Sequence, residues 1–218
     1  NGAKKVIVSA PCKNADKTIV FGVNESELKK NDKVISAASC TTNCITPILR
    51  HLSQNYGIKQ ANFTTIHSST ASQKVVDTAH SKSRTCRSIF NNIIPHSTGA
   101  SSSISRVLPE LSNKVTGTSV RVPVNNVSLV DLNVDLEKTI PLRSMLKKME
   151  NDPHITVSKE SLVSSDFISN KCPSIVDEHA CMELGRFHFI LLGHKFPSGV
   201  LPAGILPTGM ILHDIIET

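Results

Sequence analysis

The sequence has no tryptophan, one tyrosine and 4% aromatic residues in a length of 218. A nucleic-acid surface that stacks bases on aromatic rings has little to be built from, and the 24 lysines and arginines are scattered without a long basic run. The net charge of +6 suits a small anionic substrate at least as well as a nucleic acid. No run of about 18 apolar residues is present, so no transmembrane helix is expected. The start, Asn1-Gly2-Ala3-Lys4-Lys5, leads straight into Val6-Ile7-Val8 and lacks the apolar segment and cleavage pattern of a secretory leader. It also lacks an initiator Met and begins almost inside a strand, which sets the expectation that the chain is a fragment. The six cysteines, at 12, 40, 44, 86, 172 and 181, show no paired CxxC spacing and read as reduced thiols of a cytosolic protein. There is no GxGxxG, no internal repeat and no low-complexity segment.

What is there is 39% hydrophobic residues, enough for one substantial core or two small ones. Lys4–Ser9, Thr18–Val23 and Lys33–Ser39 read as short apolar strands, the last running into "SAASCTTNC". Cys44, Ile45, Ile48, Leu49 and Leu52 recur at helical spacing, which predicts a helix from about Thr41 with Pro47 near its first turn. Ala61–Ile66 is the next strand, with His67 at its end. Residues 68–103 are polar and turn-rich, a long loop of the kind that usually carries function. "TSVRVPV" and "NVSLVDLNVDL" alternate as strands, "LRSMLKKME" is a short amphipathic helix, "SLVSSDFIS" and "SIVDEHACMEL" read as strand and turn pieces, and "RFHFILL" is a last strand. Strands that follow one another with few helices predict a mixed, mostly antiparallel sheet with helices on one face.

A strand that feeds a helix through Cys40 puts that thiol at a helix N-terminus, where free N–H groups favour thiolate and could hold a developing oxyanion. His67, ending a strand, is a candidate base for it. The same residues also admit plainer roles: a cysteine packed in a buried turn, a structural or surface histidine, or, for Cys40 and Cys44 at i and i+4, two ligands of a metal whose other ligands are not evident. Cys44 falls on the apolar stripe and reads as core.

Several motifs together carry a resemblance. "SAASCTTNC", "TTIHSSTASQKVVD", "NNIIPHSTGA", "VLPEL", "GTSVRVPVNNVSLVDL", "VSSDF" and "SIVD" resemble, in order and spacing, segments of the glyceraldehyde-3-phosphate dehydrogenases, over roughly residues 2–192. The resemblance implies an α/β chain with the last strands of a Rossmann-type NAD-binding domain in residues 1–39, an α+β catalytic domain in 40–192 and a divergent tail in 193–218. It implies Cys40 as the nucleophile that forms a thiohemiacetal and then a thioester, with His67 as its base. It aligns Thr70, Ser72 and Arg121 with the site for the substrate's phosphate. Ser39, Thr41, Arg87, Thr98 and Gly99 align with the site for attacking inorganic phosphate. Ala10 and Pro11 match a segment beside the cofactor, NAD. A cytoplasmic homotetramer of glycolysis, with no metal, no membrane and no nucleic-acid partner, is the implied setting.

The chain departs from that family in three places. The Gly-rich turn for the pyrophosphate is missing, so this polypeptide alone is expected neither to hold NAD tightly nor to turn over. After "RFHFILL" the sequence has no Trp or Tyr, no assignable nicotinamide-binding asparagine, and nothing helix-like before Met210. Ala37 stands where the family commonly has asparagine. Three other readings stay open at this level: an erythrose-4-phosphate dehydrogenase-like enzyme, a non-catalytic scaffold paralogue, and a thiol esterase using Cys40 and His67.

Overall fold

The computed structural model describes residues 2–160, 163–167, 174–180, 182–183 and 187–193. A small parallel sheet comes first, built from β1 (Val6–Val8), β2 (Lys17–Thr18) and β3 (Val34–Ser36), in the order β1–β3–β2. Ile19 and Ile35 are its buried centre, with Ile7, Phe21 and Leu28 packed around them. The strand expected over Thr18–Val23 stops after Thr18. Asn24 is the reason: its side chain accepts from the Val20 N–H at 2.9 Å and donates to the Thr18 carbonyl at 3.0 Å, folding the segment into a turn through Gly22 at φ +76°. A buried amide that serves two backbone groups outweighs the strand preference of Ile19 and Val20.

The chain then enters α1 (Cys40–Tyr56) and β4 (Ile58–His67). After a long irregular stretch come β5 (Ile94–His96), α2 (Ala100–Val107), β6 (Val115–Arg121), β7 (Ser128–Leu136) and α3 (Leu142–Met149). Short strands β8 (Thr156–Ser158), β9 (Ile175–Asp177) and β10 (Met182–Glu183) precede β11 (Phe187–Gly193). The second sheet has the order β5–β6–β4–β7–β11–β9–β8, with β10 on β11. The pairs β4–β6 and β8–β9 are parallel and the others antiparallel, so the mixed, mostly antiparallel sheet expected from the sequence is what forms.

β7 shows how the layers are assigned. Val130, Leu132 and Val134 are buried while Leu129, Asp131 and Asn133 are half-buried, the period-2 signature of a strand with one core face. That inward row joins Phe63 and Phe189 of the sheet, Ile45, Ile48 and Leu52 of α1, Ile104 of α2 and Met145 of α3 in one cluster. α2 lies partly inside the stretch read as loop. Its Ala100, Ile104 and Val107 are buried at i, i+4 and i+7, an apolar stripe diluted by the serines between.

α1 starts at Cys40, one residue before the expected position, because Ser39 caps it: the Ser39 Oγ accepts the Thr42 N–H at 3.0 Å. Pro47 is in the interior of α1, not in its first turn. A proline there removes the N–H that would bond the Asn43 carbonyl. The Ser174 hydroxyl stands in, 2.6 Å from the Cys44 carbonyl and 3.2 Å from that of Asn43. The segment "VSSDF" folds as a 3-10 turn over Ser164–Phe167, whereas "SIVD" supplies β9. The expected helix from Met210 lies outside the described residues.

Gly117 faces Phe63 across the β4–β6 ladder, and the Phe63 ring, 2% exposed, fills the space where a Cβ on Gly117 would stand. Gly117→Ala is expected to lower stability by about 1–3 kcal/mol through overpacking. Urea unfolding checks this; an unchanged midpoint would mean that the ring has room to move.

Candidate active site

The site grows from the register of β4 on β6. The two strands run parallel, with His67 opposite Arg121 and Thr65 opposite Ser119. Side chains two apart share a face, so these four form two rungs at the ends of neighbouring strands. α1 begins directly over them. Cys40, its first residue, brings Sγ to 3.4 Å from the His67 Nε2. The other ring nitrogen, Nδ1, is 2.7 Å from the Ser68 carbonyl. A carbonyl can only accept and the Arg121 guanidinium, whose Nη1 meets the same nitrogen, can only donate, so the two neighbours of Nδ1 make opposite demands on its proton, and Nε2 is the ring nitrogen that meets the thiol. Arg121 lies against the same ring edge, and its Nη1 donates to the Ser68 carbonyl at 3.2 Å.

The electrostatics are a contest. Burial pushes the Cys40 thiol up from its ordinary pKa; the Thr41 N–H and hydroxyl, the Arg121 charge and the Cys40 N–H pull it down without prevailing. The helix N-terminus therefore acts in the direction the sequence suggested, but desolvation outweighs it. A thiol pushed up in this way gains most from a neighbouring ring nitrogen, and the Nε2 of His67 is at hydrogen-bond distance from it. Arg121 is itself pushed down by burial and held up by its attraction to Cys40.

These groups line a cavity of about 200 Å³. Ser39, Cys40 and Thr41 enter it from the start of α1; Ser97, Thr98 and Gly99 from the approach to α2. Ala100 and Ser103 of α2, the two strand rungs and Pro11 complete the wall. Two helix N-termini and a guanidinium thus face one space that no carboxylate lines. The Nε of Arg121 is buried without a hydrogen-bond partner. Positive potential of this kind selects an anion.

Comparison with known proteins then decides the kinship. A family model described as glyceraldehyde 3-phosphate dehydrogenase, C-terminal domain, matches residues 39–192. The chain belongs to the glyceraldehyde-3-phosphate dehydrogenase family. It is 45% identical to glyceraldehyde-3-phosphate dehydrogenase 1 of Bacillus subtilis over 188 residues, covering 83% of this chain and 56% of that one. It is 43% identical to the glyceraldehyde-3-phosphate dehydrogenase of Borreliella burgdorferi (81% and 55%), and 44% identical to the cytosolic enzyme of Magnolia liliiflora (88% and 58%). The chain therefore spans little more than half the length of these relatives.

Of the residues that the family motifs single out, Ser39, Cys40, Thr41, His67, Thr98, Gly99, Arg121 and Pro11 share the cavity. Ala10 is exposed and outside the lining, its carbonyl accepting from Ser36 Oγ at 2.8 Å. Thr70 and Ser72 stand outside the lining, their hydroxyls 3.0 Å apart, with Thr70 held by the Gln73 side chain. Arg87 is also outside, exposed and paired with Asp77 at 3.0 Å. Thr65 and Ser119 were missed from the sequence. Strand periodicity could have found them, since each lies two residues before an assigned residue. Ser97 and Ser103 had no such signal in a loop read as irregular.

Two substitutions separate the contributions to Cys40. Arg121→Gln removes a cation that favours thiolate, so the pH midpoint of Cys40 alkylation by iodoacetamide is expected to rise. His67→Ala is expected to slow alkylation near pH 7. Rates resolved residue by residue by mass spectrometry check both; a midpoint that falls in Arg121→Gln would remove the arginine from this role.

Proposed function

We propose that this chain carries the cysteine chemistry of an NAD-dependent, phosphorylating oxidation of glyceraldehyde 3-phosphate, with Cys40 as the covalent nucleophile. The observation that carries the reading is the Cys40 Sγ 3.4 Å from the His67 Nε2, at a cavity that a guanidinium and two helix N-termini face and no carboxylate lines. His67 takes the thiol proton as sulfur attacks the aldehyde carbon, and hands it to the aldehyde oxygen, giving a thiohemiacetal hydroxyl. It takes that proton back as the carbon is oxidised. The thioester left on Cys40 keeps its acyl group activated, because sulfur donates less electron density to a carbonyl than oxygen does. Phosphate, held by Ser39, Thr41, Thr98 and Gly99 at the starts of α1 and α2, attacks that carbonyl; the C–S bond breaks and His67 returns the proton to sulfur. The N–H groups at the start of α1 are the donors nearest the oxygen that gains charge.

NAD, when bound, supplies the hydride acceptor. Pro11, an apolar wall of the cavity beside Cys40, fits the flat reactive end of that cofactor, whereas no Gly-rich turn for its pyrophosphate occurs in this sequence. Residues 1–39, with their parallel β1–β3–β2 pairing, are assigned to the end of the nucleotide-binding domain, residues 40–192 to the catalytic domain and 193–218 to a divergent tail. Thr70 and Ser72, with Arg121, are assigned to the substrate's phosphate. Ser39, Thr41, Thr98 and Gly99 are assigned to the attacking phosphate; Arg87, engaged with Asp77, is left out. A cytoplasmic homotetramer is part of the reading. Supporting it are the exposed Val75, Val76 and Ile93 and the cytosolic name of one relative.

The acyl-transfer step can be tested without cofactor. Incubation of the chain with the acyl phosphate of 3-phosphoglyceric acid is expected to acylate Cys40, seen as a mass increase on its peptide, and Cys40→Ser is expected to abolish it. Acylation elsewhere, or none, would contradict the reading.

A further inference from the structure

The turn that delivers Cys40 is held by side chains outside the cavity. Ala38 has φ +59°, a left-handed conformation that its Cβ disfavours. Ala38 and Ala37 are both buried, 3% and 2% exposed, so the turn is not an accident of a loose surface loop. Asn43, one turn into α1 and 3% exposed, donates its amide to the Ala37 carbonyl at 2.9 Å and to the Ser39 carbonyl at 2.9 Å. Both partners only accept, which fixes the amide orientation with Nδ2 toward the turn. Ser36, fully buried, holds the other side. Its hydroxyl donates to the Ala10 carbonyl at 2.8 Å and accepts the N–H groups of Ala38 and Cys12, each at 3.2 Å. Its one donor and two lone pairs are all in use.

We propose that Asn43 and Ser36 are positioning residues that clamp the left-handed turn before Cys40 and so aim its thiol at His67. Asn43 bridges the carbonyls on either side of Ala38 and keeps the chain from relaxing to an ordinary φ. Ser36 ties that same turn to segment 10–12, so the Pro11 wall and the thiol are held in one frame. Neither side chain lines the cavity; both act through the backbone they hold. Without the clamp the first turn of α1 rotates away from the ring nitrogen, and the Thr41 N–H and hydroxyl no longer meet the sulfur. The thiol then loses its base and its thiolate support together.

This proposal rests on Cys40 as the nucleophile, and the test separates the two. In the unaltered chain, iodoacetamide should modify Cys40 ahead of Cys44; if it does not, the reading of Cys40 fails whatever the variants do. In Asn43→Ala the Cys40 rate near pH 7 is expected to fall about tenfold or more. The midpoint of its pH profile is expected to rise, while the rate at Cys86 stays as it was. Adding Ala38→Gly, which makes positive φ acceptable, is expected to recover most of the lost rate, an effect that general loss of core packing would not produce. Ser36→Ala is expected to slow Cys40 in the same direction, and it carries the test if Asn43→Ala fails to fold. An unchanged rate and pH profile in the clamp variants, or a loss that Ala38→Gly does not relieve, would overturn the proposal.

Discussion

The seating of α1 on the sheet sets the distance between Cys40 and His67, and the other parts of the site are arranged around that distance. A helix that slid by one turn would carry its first residue about 5.4 Å along its axis, beyond reach of the imidazole. Three contacts oppose such a slide. The buried stripe Ile45, Ile48, Leu49 and Leu52 locks the helix against the strands. The Ser39 hydroxyl fixes where the helix begins. Ser174 reaches the two carbonyls next to the gap that Pro47 opens in the hydrogen-bond ladder, so a break in helical bonding becomes an anchor to the segment that leads into β9. The strands beneath are held as firmly, since a one-residue slip of β4 on β6 would turn His67 or Arg121 to the opposite face.

Charge and burial are balanced against each other. Withdrawal from bulk water strengthens each interaction with an anion, but the same burial raises the cost of ionising Cys40. The fold sets an imidazole against that cost: the Ser68 carbonyl and the Arg121 guanidinium both meet Nδ1, so the ring presents Nε2 to sulfur. Arg121 then serves two ends, steadying that carbonyl and leaving its Nε unmatched in the interior. A half-buried guanidinium facing a space with no carboxylate is stable chiefly as a receptor for negative charge.

Much of this was legible in the sequence. The 3.6 period of α1 and the alternation in β7 are local signals that appear in the structure as read; "SAASCTTNC" does join a strand to a helix, but the strand expected to Ser39 ends at Ser36 and a left-handed turn at Ala38 intervenes. The misses share a cause: a side-chain contact that local pattern cannot display. Asn24 turns "TIVFGV" into a bend, Ser174 lets Pro47 sit inside a helix, and the serines of α2 dilute its apolar stripe. At the site, Cys40, His67 and Arg121 could be named from motifs; strand periodicity points to Thr65 and Ser119, two residues before His67 and Arg121, and the pairing of β4 with β6 sets them side by side. The location of Arg87 beside Asp77 had no sequence signal either, since a loop residue's direction is set by the fold around it.

The central claim is that thiol, base and anion receptor share one cavity. A crystal structure of the chain soaked with inorganic phosphate tests it most directly. The account predicts phosphate in the Cys40 cavity, bonded to donors at the starts of α1 and α2, with the Arg121 guanidinium facing the same cavity and the Cys40 Sγ still within hydrogen-bond reach of His67. Phosphate bound only elsewhere on the surface, with the Arg121 side chain turned out of the cavity, would contradict it.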